Sequence, residues 1–452
     1  MKHLSLAIFS TAFVVSSAFS STLGTQIKEN TLVVYNSNLG LVHEKRSLAL
    51  EKNDTTIVYD NVASSINTDS VSVKLPKFVK LYSQQYRFDK LTLTKLLNAH
   101  IGKKVEVKLL KETKNFKTIS ATLLSNNANR CIVKTANSKI ITVPSDAIIF
   151  SNIPKTLITK PSLVWNVKTS KALKSNLELD YLIRNISWKS DYVLNISKTE
   201  ADLSGWITID NRSGKHFEKT SLNVLAGELN QARAEIAYKQ VHKMARAMND
   251  ATPVAQAVEG YHLYSVPFKV TLANNEKTQI KFIDKRGIKI ERSYSAQLSN
   301  PLYFNGESKH DVVQYINLKA LDIALPKGIV RTYSKHNKTS LLLGESRISH
   351  MPKDTPIKLK IGKNFDIKVI ERTISRDDSK YRYNATLNYS VKNSSDETKS
   401  VELLVPFNRQ RDSKIKTSQN YSFTKGNMIL FKIKVAPDST QEFRVNYISK
   451  KG

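Results

Sequence analysis

Alternation of apolar and polar residues with a period of two runs through nearly the whole chain, and it restricts the fold to sheets. Leu32-Val33-Val34-Tyr35, Leu39 to Leu50, Thr56-Ile57-Val58-Tyr59 and Val71 to Leu75 are short apolar runs parted by Asn, Asp, Gly and Ser, as strands divided by turns require. Leu177 to Tyr181 and Trp206 to Asp210 alternate cleanly, and Asn211-Arg212-Ser213-Gly214 then supplies turn chemistry. Near the end, Leu387, Tyr389 and Val391 point one way and Asn388, Ser390 and Lys392 the other. Ile429, Phe431, Ile433 and Val435 repeat the pattern before Pro437-Asp438-Ser439.

A mainly β, multidomain protein is therefore expected, because 452 residues exceed one ordinary hydrophobic core. Residues 21–90 read as an amino-terminal β domain. Leu91 to Ile153 opens with a helical turn around Leu93 to Ala99 and packs several short strands into few residues, which suggests a small β-barrel-like unit. Residues 154–364 form a central β-rich domain, and 365–452 an immunoglobulin-like β-sandwich. One stretch breaks the pattern. Residues 230–249 are rich in Ala, Met, Lys, Arg and Gln, with Ala237, Val241, Met244, Ala245 and Met248 at helical spacing. This helical insertion carries Arg233, Lys239, Lys243 and Arg246 around its apolar stripe. With Val241, Met244 and Met248 these residues are an expected membrane or partner contact.

The amino terminus has the layout of a secretory signal: Lys2 and His3, then an apolar stretch from Leu4 to Phe19, with small residues for cleavage after Ser20. No later stretch approaches the roughly 20 apolar residues of a membrane helix. Periplasmic or secreted localisation is expected. The single cysteine, Cys131, excludes an internal disulfide and sits in an alternating run as a small buried hydrophobe. Lys and Arg exceed Asp and Glu by 31, yet they are dispersed and no zinc-finger or RRM signature accompanies them, so no specific nucleic-acid role is assigned. Weak attraction to anionic membrane or polysaccharide is the expected consequence.

Motifs of known chemistry are missing. The nine His residues form no His-Glu-x-x-His pair, no Gly-rich phosphate loop follows a strand, and no Gly-x-Ser-x-Gly elbow occurs. No catalytic residue, metal ligand or cofactor is assigned. Asp191, Asp210, Asp366, Asp377 and Asp378 are candidates for carboxylate catalysis only in the sense that a fold could bring two across a cleft. Trp165, Trp188 and Trp206 suit core packing first. Their functional reading is a carbohydrate-stacking platform, extended by Tyr261 and Tyr264, with His262 on the opposite face of its strand.

Several motifs together resemble a known family. Tyr181-Leu182-Ile183-Arg184-Asn185-Ile186-Ser187-Trp188 with Asp191-Tyr192, Gly205-Trp206, Asn211-Arg212-Ser213-Gly214 and Leu225-Ala226-Gly227 look like the core of the bacterial exported domain-of-unknown-function 4139 family (DUF4139), the mucoidy-inhibitor-A-like proteins. Glu259 to Tyr264, Leu325 to Tyr333, Leu343-Gly344-Glu345, Ile348 to Lys353 and Gly362 to Asp366 continue the series in order. Leu41-Val42-His43-Glu44-Lys45-Arg46 also fits. The resemblance covers roughly Pro161 to the end and implies no enzymatic mechanism. Many relatives carry an upstream coiled coil, where this chain has the small β unit instead.

The expected function is that of an exported, non-enzymatic envelope protein, an interaction or scaffold module for envelope polysaccharide, membrane or another exported protein. A polysaccharide-acting hydrolase with dispersed carboxylates is the rival, and a transport or assembly accessory factor a third reading. The mature chain should start near Ser21 and be found outside the cytoplasm. Mass determination of the native protein checks this, and an intact Met1 on cytoplasmic material would remove the basis for export.

Overall fold

The computed structural model describes residues 20–22, 27–110, 116–127, 129–154, 157–227, 255–258, 261–407, 413–424, 426 and 428–450. Among them the only α-helix is Leu93–His100, and the protein is mainly β with several separate sheets. The helical insertion at 230–249 lies outside the described residues. The fold separates into two compact units that interleave along the chain. One comprises the chain up to Ser187 with Asp210–Thr252 and Ser265–Lys277; the other comprises Trp188–Ile209, Pro253–Tyr264 and Thr278–Gly452.

The first unit contains two sheets joined through Tyr59. Ile27–Tyr35, Leu39–Leu50 and Leu173–Arg184 pair antiparallel, flanked by Ser72–Lys74 and by Phe217–Ala226, which runs parallel to Ile27–Tyr35. Thr56–Tyr59, Ser162–Thr169 and Val79–Arg87 form the second sheet. Along Leu39–Leu50 the alternation buries Val42, Glu44, Arg46, Leu48 and Leu50 on one face. A strand would ordinarily place no charge at two successive inward positions, and this departure governs the unit.

The small unit belongs to the same half. Thr92 caps the helix by accepting from the Lys95 amide at 3.3 Å, and Leu97 and His100 are buried beneath it. Five strands follow, with Ile140–Pro144 at one end of the sheet order and Ile148–Ile149 at the other. Only Ser145–Ala147 separates these two ends in sequence, so the chain passes from one end of the sheet order to the other within three residues. Cys131 is buried with Val105, Val107, Leu123, Val133 and Val143, with its sulfur 3.5 Å from Ser145 Oγ.

In the second unit two apolar cores lie in series along continuous strands. Ile357–Asp378 contributes Ile357 and Leu359 to one core and Ile367 and Val369 to the next. Likewise Ile283 and Ile290 serve the first core, Tyr294 and Ala296 the second. The carboxyl-terminal core is a sandwich. Ile357–Asp378, Arg382–Asn393 and Ser439–Lys450 make one layer, Lys399–Pro406 and Met428–Val435 the other. Phe431 bridges them, its ring 6.3 Å from Tyr389 and 5.2 Å from Phe443.

One turn is built twice, once in each unit. Asn211 Nδ2 donates to the carbonyls of Lys215, Leu272 and Ala273 at 2.9–3.2 Å, while its Oδ1 accepts from the Ser213 amide and hydroxyl. Asn393 Nδ2 donates to the carbonyls of Glu397, Val435 and Ala436 at 2.8–3.2 Å, and its Oδ1 accepts from the Ser395 amide and hydroxyl. The residue after each Asn also donates its amide alike, Arg212 to Asn185 O and Ser394 to Asp366 O, both at 2.8 Å. Each asparagine thus joins the end of its own strand to a distant one. Gly214 is obligatory in the first copy, because φ is +79° and a Cβ would lie 1.7 Å from Ser64 Oγ. Replacing either asparagine by Ala strands several buried carbonyls and should cost about 2–4 kcal/mol of unfolding free energy. Denaturant unfolding of Asn211→Ala and Asn393→Ala measures it, and near-neutral values would show the turns to be dispensable.

Candidate functional site

Titratable groups gather at two places of opposite character. The first is buried in the amino-terminal unit. Glu44 Oε2 accepts from Arg46 Nη2 at 2.8 Å and from the Tyr59 hydroxyl at 2.7 Å, while Oε1 accepts from Lys215 Nζ. Lys215 also donates to the Tyr181 hydroxyl at 3.2 Å, and Arg46 reaches the carbonyl and carboxylate of Asp60. The Arg46 guanidinium lies 3.9 Å above the Tyr59 ring. Glu44, Arg46 and Lys215 are all buried. Two carboxylates meet two cations, so the cluster is neutral as a whole.

Burial alone would push the Glu44 carboxyl up, but the Lys215 and Arg46 charges outweigh it and hold the pKa at about 2. Burial pushes Lys215 down against the pull of Glu44. On the reverse face of the same strand, His43 Nδ1 lies 2.7 Å from Asp180 Oδ1, and this hydrogen bond raises the histidine above its ordinary 6.5. Being buried, the Glu44 cluster is a lock rather than a reaction centre. Sequence reasoning missed it, although the signal was present: Glu44 and Arg46 stand at i and i+2 on the face of Val42, Leu48 and Leu50.

The aromatic residues expected to stack on sugar are mostly committed to packing. Trp165 is fully buried, its Nε1 donating to Gln84 Oε1 at 2.7 Å and its ring 5.6 Å from Tyr59. Trp188 and Tyr264 are buried with ring centres 6.4 Å apart. Trp206 is half-buried, and Tyr261 is placed only by its strand, opposite Val258. The structure brings Trp188 and Tyr264 together in the interior, not on a platform, and leaves Trp165 in the other unit. Arg233, Lys239, Val241, Lys243, Met244, Arg246 and Met248 lie outside the described residues.

The carboxylates weighed for catalysis are dispersed. Asp191 pairs with Lys189 and Arg331, Asp210 with Arg212, and Asp378 with Arg376. Among the described residues no group of three or more His, Cys, Asp or Glu is placed to hold a metal ion, and no helix is long and apolar enough to cross a membrane.

The second gathering is open to solvent. In the carboxyl-terminal unit a groove of about 560 Å³ is lined by Ser197, Lys198, Arg292, Tyr294, Lys335 and Lys399, with Ile196, Gln314, Ser334 and Glu397. Its volume falls in the range of ligand sites. Glu397 is its one carboxylate, bonded to Lys198 at 2.9 Å and Lys399 at 3.0 Å. These lysine hydrogen bonds hold Glu397 at about 2. Arg292 Nη2 donates to the Ser197 carbonyl at 2.8 Å and Nη1 to that of Lys198, so its charge meets no counter-ion there. Four cations against one carboxylate leave the groove with three positive charges in excess. Its lining comes from segments near positions 197, 293, 314, 335 and 398, and no local motif could have announced it.

The fold and the groove together define a multidomain β protein with a cation-lined groove in its carboxyl-terminal unit. No protein-family model matches the chain, and no curated protein matches it.

The buried cluster sets an acid limit on stability. Glu44 has a folded pKa below its ordinary 4.5, so its contribution is present above that value and lost as pH falls towards about 2. His43 has the opposite sign, contributing below 6.5 and losing its contribution as pH rises through its raised folded value. Glu44→Gln leaves Arg46 and Lys215 buried with one acceptor fewer and should cost about 3–5 kcal/mol. Thermal melts of both forms between pH 2 and 8 check this. A wild-type melting temperature that does not fall below pH 4.5 would contradict the role given to Glu44.

Proposed function

We propose that the chain is an exported, non-enzymatic protein of a bacterial envelope, related to the mucoidy-inhibitor-A-like group, whose β domains scaffold an interaction with acidic surface polymer. The observation that carries this is the groove: Lys198, Arg292, Lys335 and Lys399 converge on one open concavity with a single carboxylate among them. Arg292 is fixed by two carbonyls and Lys399 by Glu397 and the Tyr294 ring, 5.5 Å away. Arg292, Lys198 and Lys399 are thus oriented before any ligand arrives, which lowers the ordering cost of binding. Ser197, Ser334 and Gln314 offer neutral hydrogen bonds of the kind sugar hydroxyls take.

The rival hydrolase needs an acid and a second carboxylate across one cleft. Glu397 is held ionised well below neutral pH, so it is a poor proton donor, and it stands alone in the groove. Titration calorimetry with oligogalacturonate and with a neutral oligoglucan of equal length is the test. Binding of the acidic oligomer alone is expected, weakened about tenfold by Arg292→Gln combined with Lys335→Gln. Equal binding of the neutral oligomer, or unchanged affinity in the double variant, would overturn the reading. Shortened oligomers after incubation would favour the hydrolase.

A further inference from the structure

The carboxyl-terminal unit carries a second unusual surface. Gly328–His336 and Thr339–Ile348 form an antiparallel hairpin closed by Asn337 and Lys338, with Asn337 at φ +53°. The base of the hairpin is tied down. Ser346 Oγ donates to the Lys360 carbonyl at 2.6 Å, and at Gly344 the backbone comes so near that a Cβ would lie 2.2 Å from Ile361 O. Beyond Gly344, towards the tip, every residue from Thr339 to Leu343 is exposed.

Three of those residues are leucines, Leu341, Leu342 and Leu343, with 47 %, 52 % and 37 % of their surface in solvent. Leu341 lies opposite Ser334 and Leu342 opposite Tyr333, and these pairs point to opposite faces of the hairpin. The register shifts between Thr332 and Tyr333, which makes Leu343 the unpaired extra residue. No single packing surface could cover all three leucines. From Ser334 to Gly344 the charged or titratable residues are Lys335, His336 and Lys338, and no acidic residue occurs.

We infer that this hairpin tip is a docking element for an anionic bilayer surface, its leucines entering the headgroup boundary while Lys335 and Lys338 meet lipid phosphates. Apolar side chains around a tip, together with cations whose long stems can reach outward, match the two components of interfacial binding. A protein strand added at the free edge of Thr339–Ile348 fits less well. The irregularity at Leu343 interrupts the ladder such a strand would need, and bulges of this kind turn edges away from pairing. Of its residues only Lys335 also lines the groove; the test rests on the leucines and Lys338, which do not, so the inference holds whether or not the groove binds acidic polymer.

Co-sedimentation of the full chain with vesicles of phosphatidylcholine alone, and of phosphatidylcholine mixed with phosphatidylglycerol, tests it. The protein should bind the mixed vesicles and not the neutral ones. Leu341→Ser with Leu342→Ser should weaken binding about tenfold or more at both low and high salt. Lys338→Gln should weaken it less, and only at low salt. Both leucines are exposed, so the double variant should keep the wild-type melting temperature and oligogalacturonate binding. These controls separate failure of the hairpin from failure of the groove and from misfolding. Equal binding of the double variant to mixed vesicles, or equal binding of wild type to neutral ones, would overturn the inference. A wild-type dimer that the double variant converts to monomer, with vesicle binding unchanged, would assign the tip to a second copy instead.

Discussion

Glu44 is the residue on which the amino-terminal unit turns. It sits on one sheet, accepts a hydrogen bond from Tyr59 on the other, and holds Arg46 from its own strand and Lys215 from a turn more than 170 positions away. Hydrophobic burial would tolerate small slips between the two sheets. A carboxylate that needs three donors at fixed places does not. Such clusters add little net stability compared with apolar side chains of equal volume, since desolvation offsets most of the attraction. The geometric demand of this one falls on register, because an arrangement that moved one partner away would leave a charge buried alone. Sequence motifs quoted at the outset provide most of its parts. Glu44 and Arg46 stand in Leu41 to Arg46, Tyr181 opens the longest motif, and Lys215 directly follows Asn211-Arg212-Ser213-Gly214. Those residues are accounted for by folding.

The doubled asparagine turn links this lock to the groove. In both copies the side-chain amide of Asn holds the carbonyl four residues later, and that fourth residue is charged. In the first unit it is Lys215, directed inward to Glu44; in the second it is Glu397, directed outward to Lys198 and Lys399. One backbone device thus places a structural charge in one unit and a surface charge in the other. The local sequences explain the difference. Gly214 allows the left-handed conformation that packs the first turn against Ser64, whereas the second copy has Asp396 at that position and a looser, polar surround.

Much of the fold could be read from alternation, because inward and outward positions in a strand differ by one residue and burial enforces the pattern. Tyr389, Val391, Ile429, Phe431 and Ile433 all proved to be core, as did Cys131. Alternation tells which residues turn inward, but not whether an inward polar residue will find partners. Glu44 and Arg46 fit the strand pattern only by position, and Lys215, in a turn, has no pattern at all. The tryptophans illustrate the same limit from the other side. A large aromatic residue in an alternating strand is compatible with either face, and the Gln84 amide oxygen that satisfies Trp165 Nε1 lies 81 positions away. The groove was illegible for a further reason: its four cations come from four separate segments, and each looks like an ordinary solvated lysine or arginine in its own stretch of sequence.

The location of charge decides where this very basic protein can act. The interior cluster is balanced, two carboxylates against two cations, so it contributes nothing to the excess of 31 positive charges. Among the described residues Arg46 and Lys215 are the only buried Lys or Arg, so the other described cations lie outside the core. At physiological ionic strength charges act together only within about 8 Å of one another. Lysines scattered over many strands therefore give diffuse attraction without a site. Clusters inside that distance behave differently, above all where backbone carbonyls or a single shared carboxylate hold the cations still. Lys198 and Lys399 on Glu397, beside Arg292 on two carbonyls, form such a cluster. The hairpin tip joins Lys335 and Lys338 to exposed leucines, where apolar contact adds to an attraction that salt would otherwise erase. An acidic polymer needs the first kind of surface and a lipid boundary the second. On the two readings proposed above, a β unit presenting both would hold one while resting on the other, which neither surface could do alone.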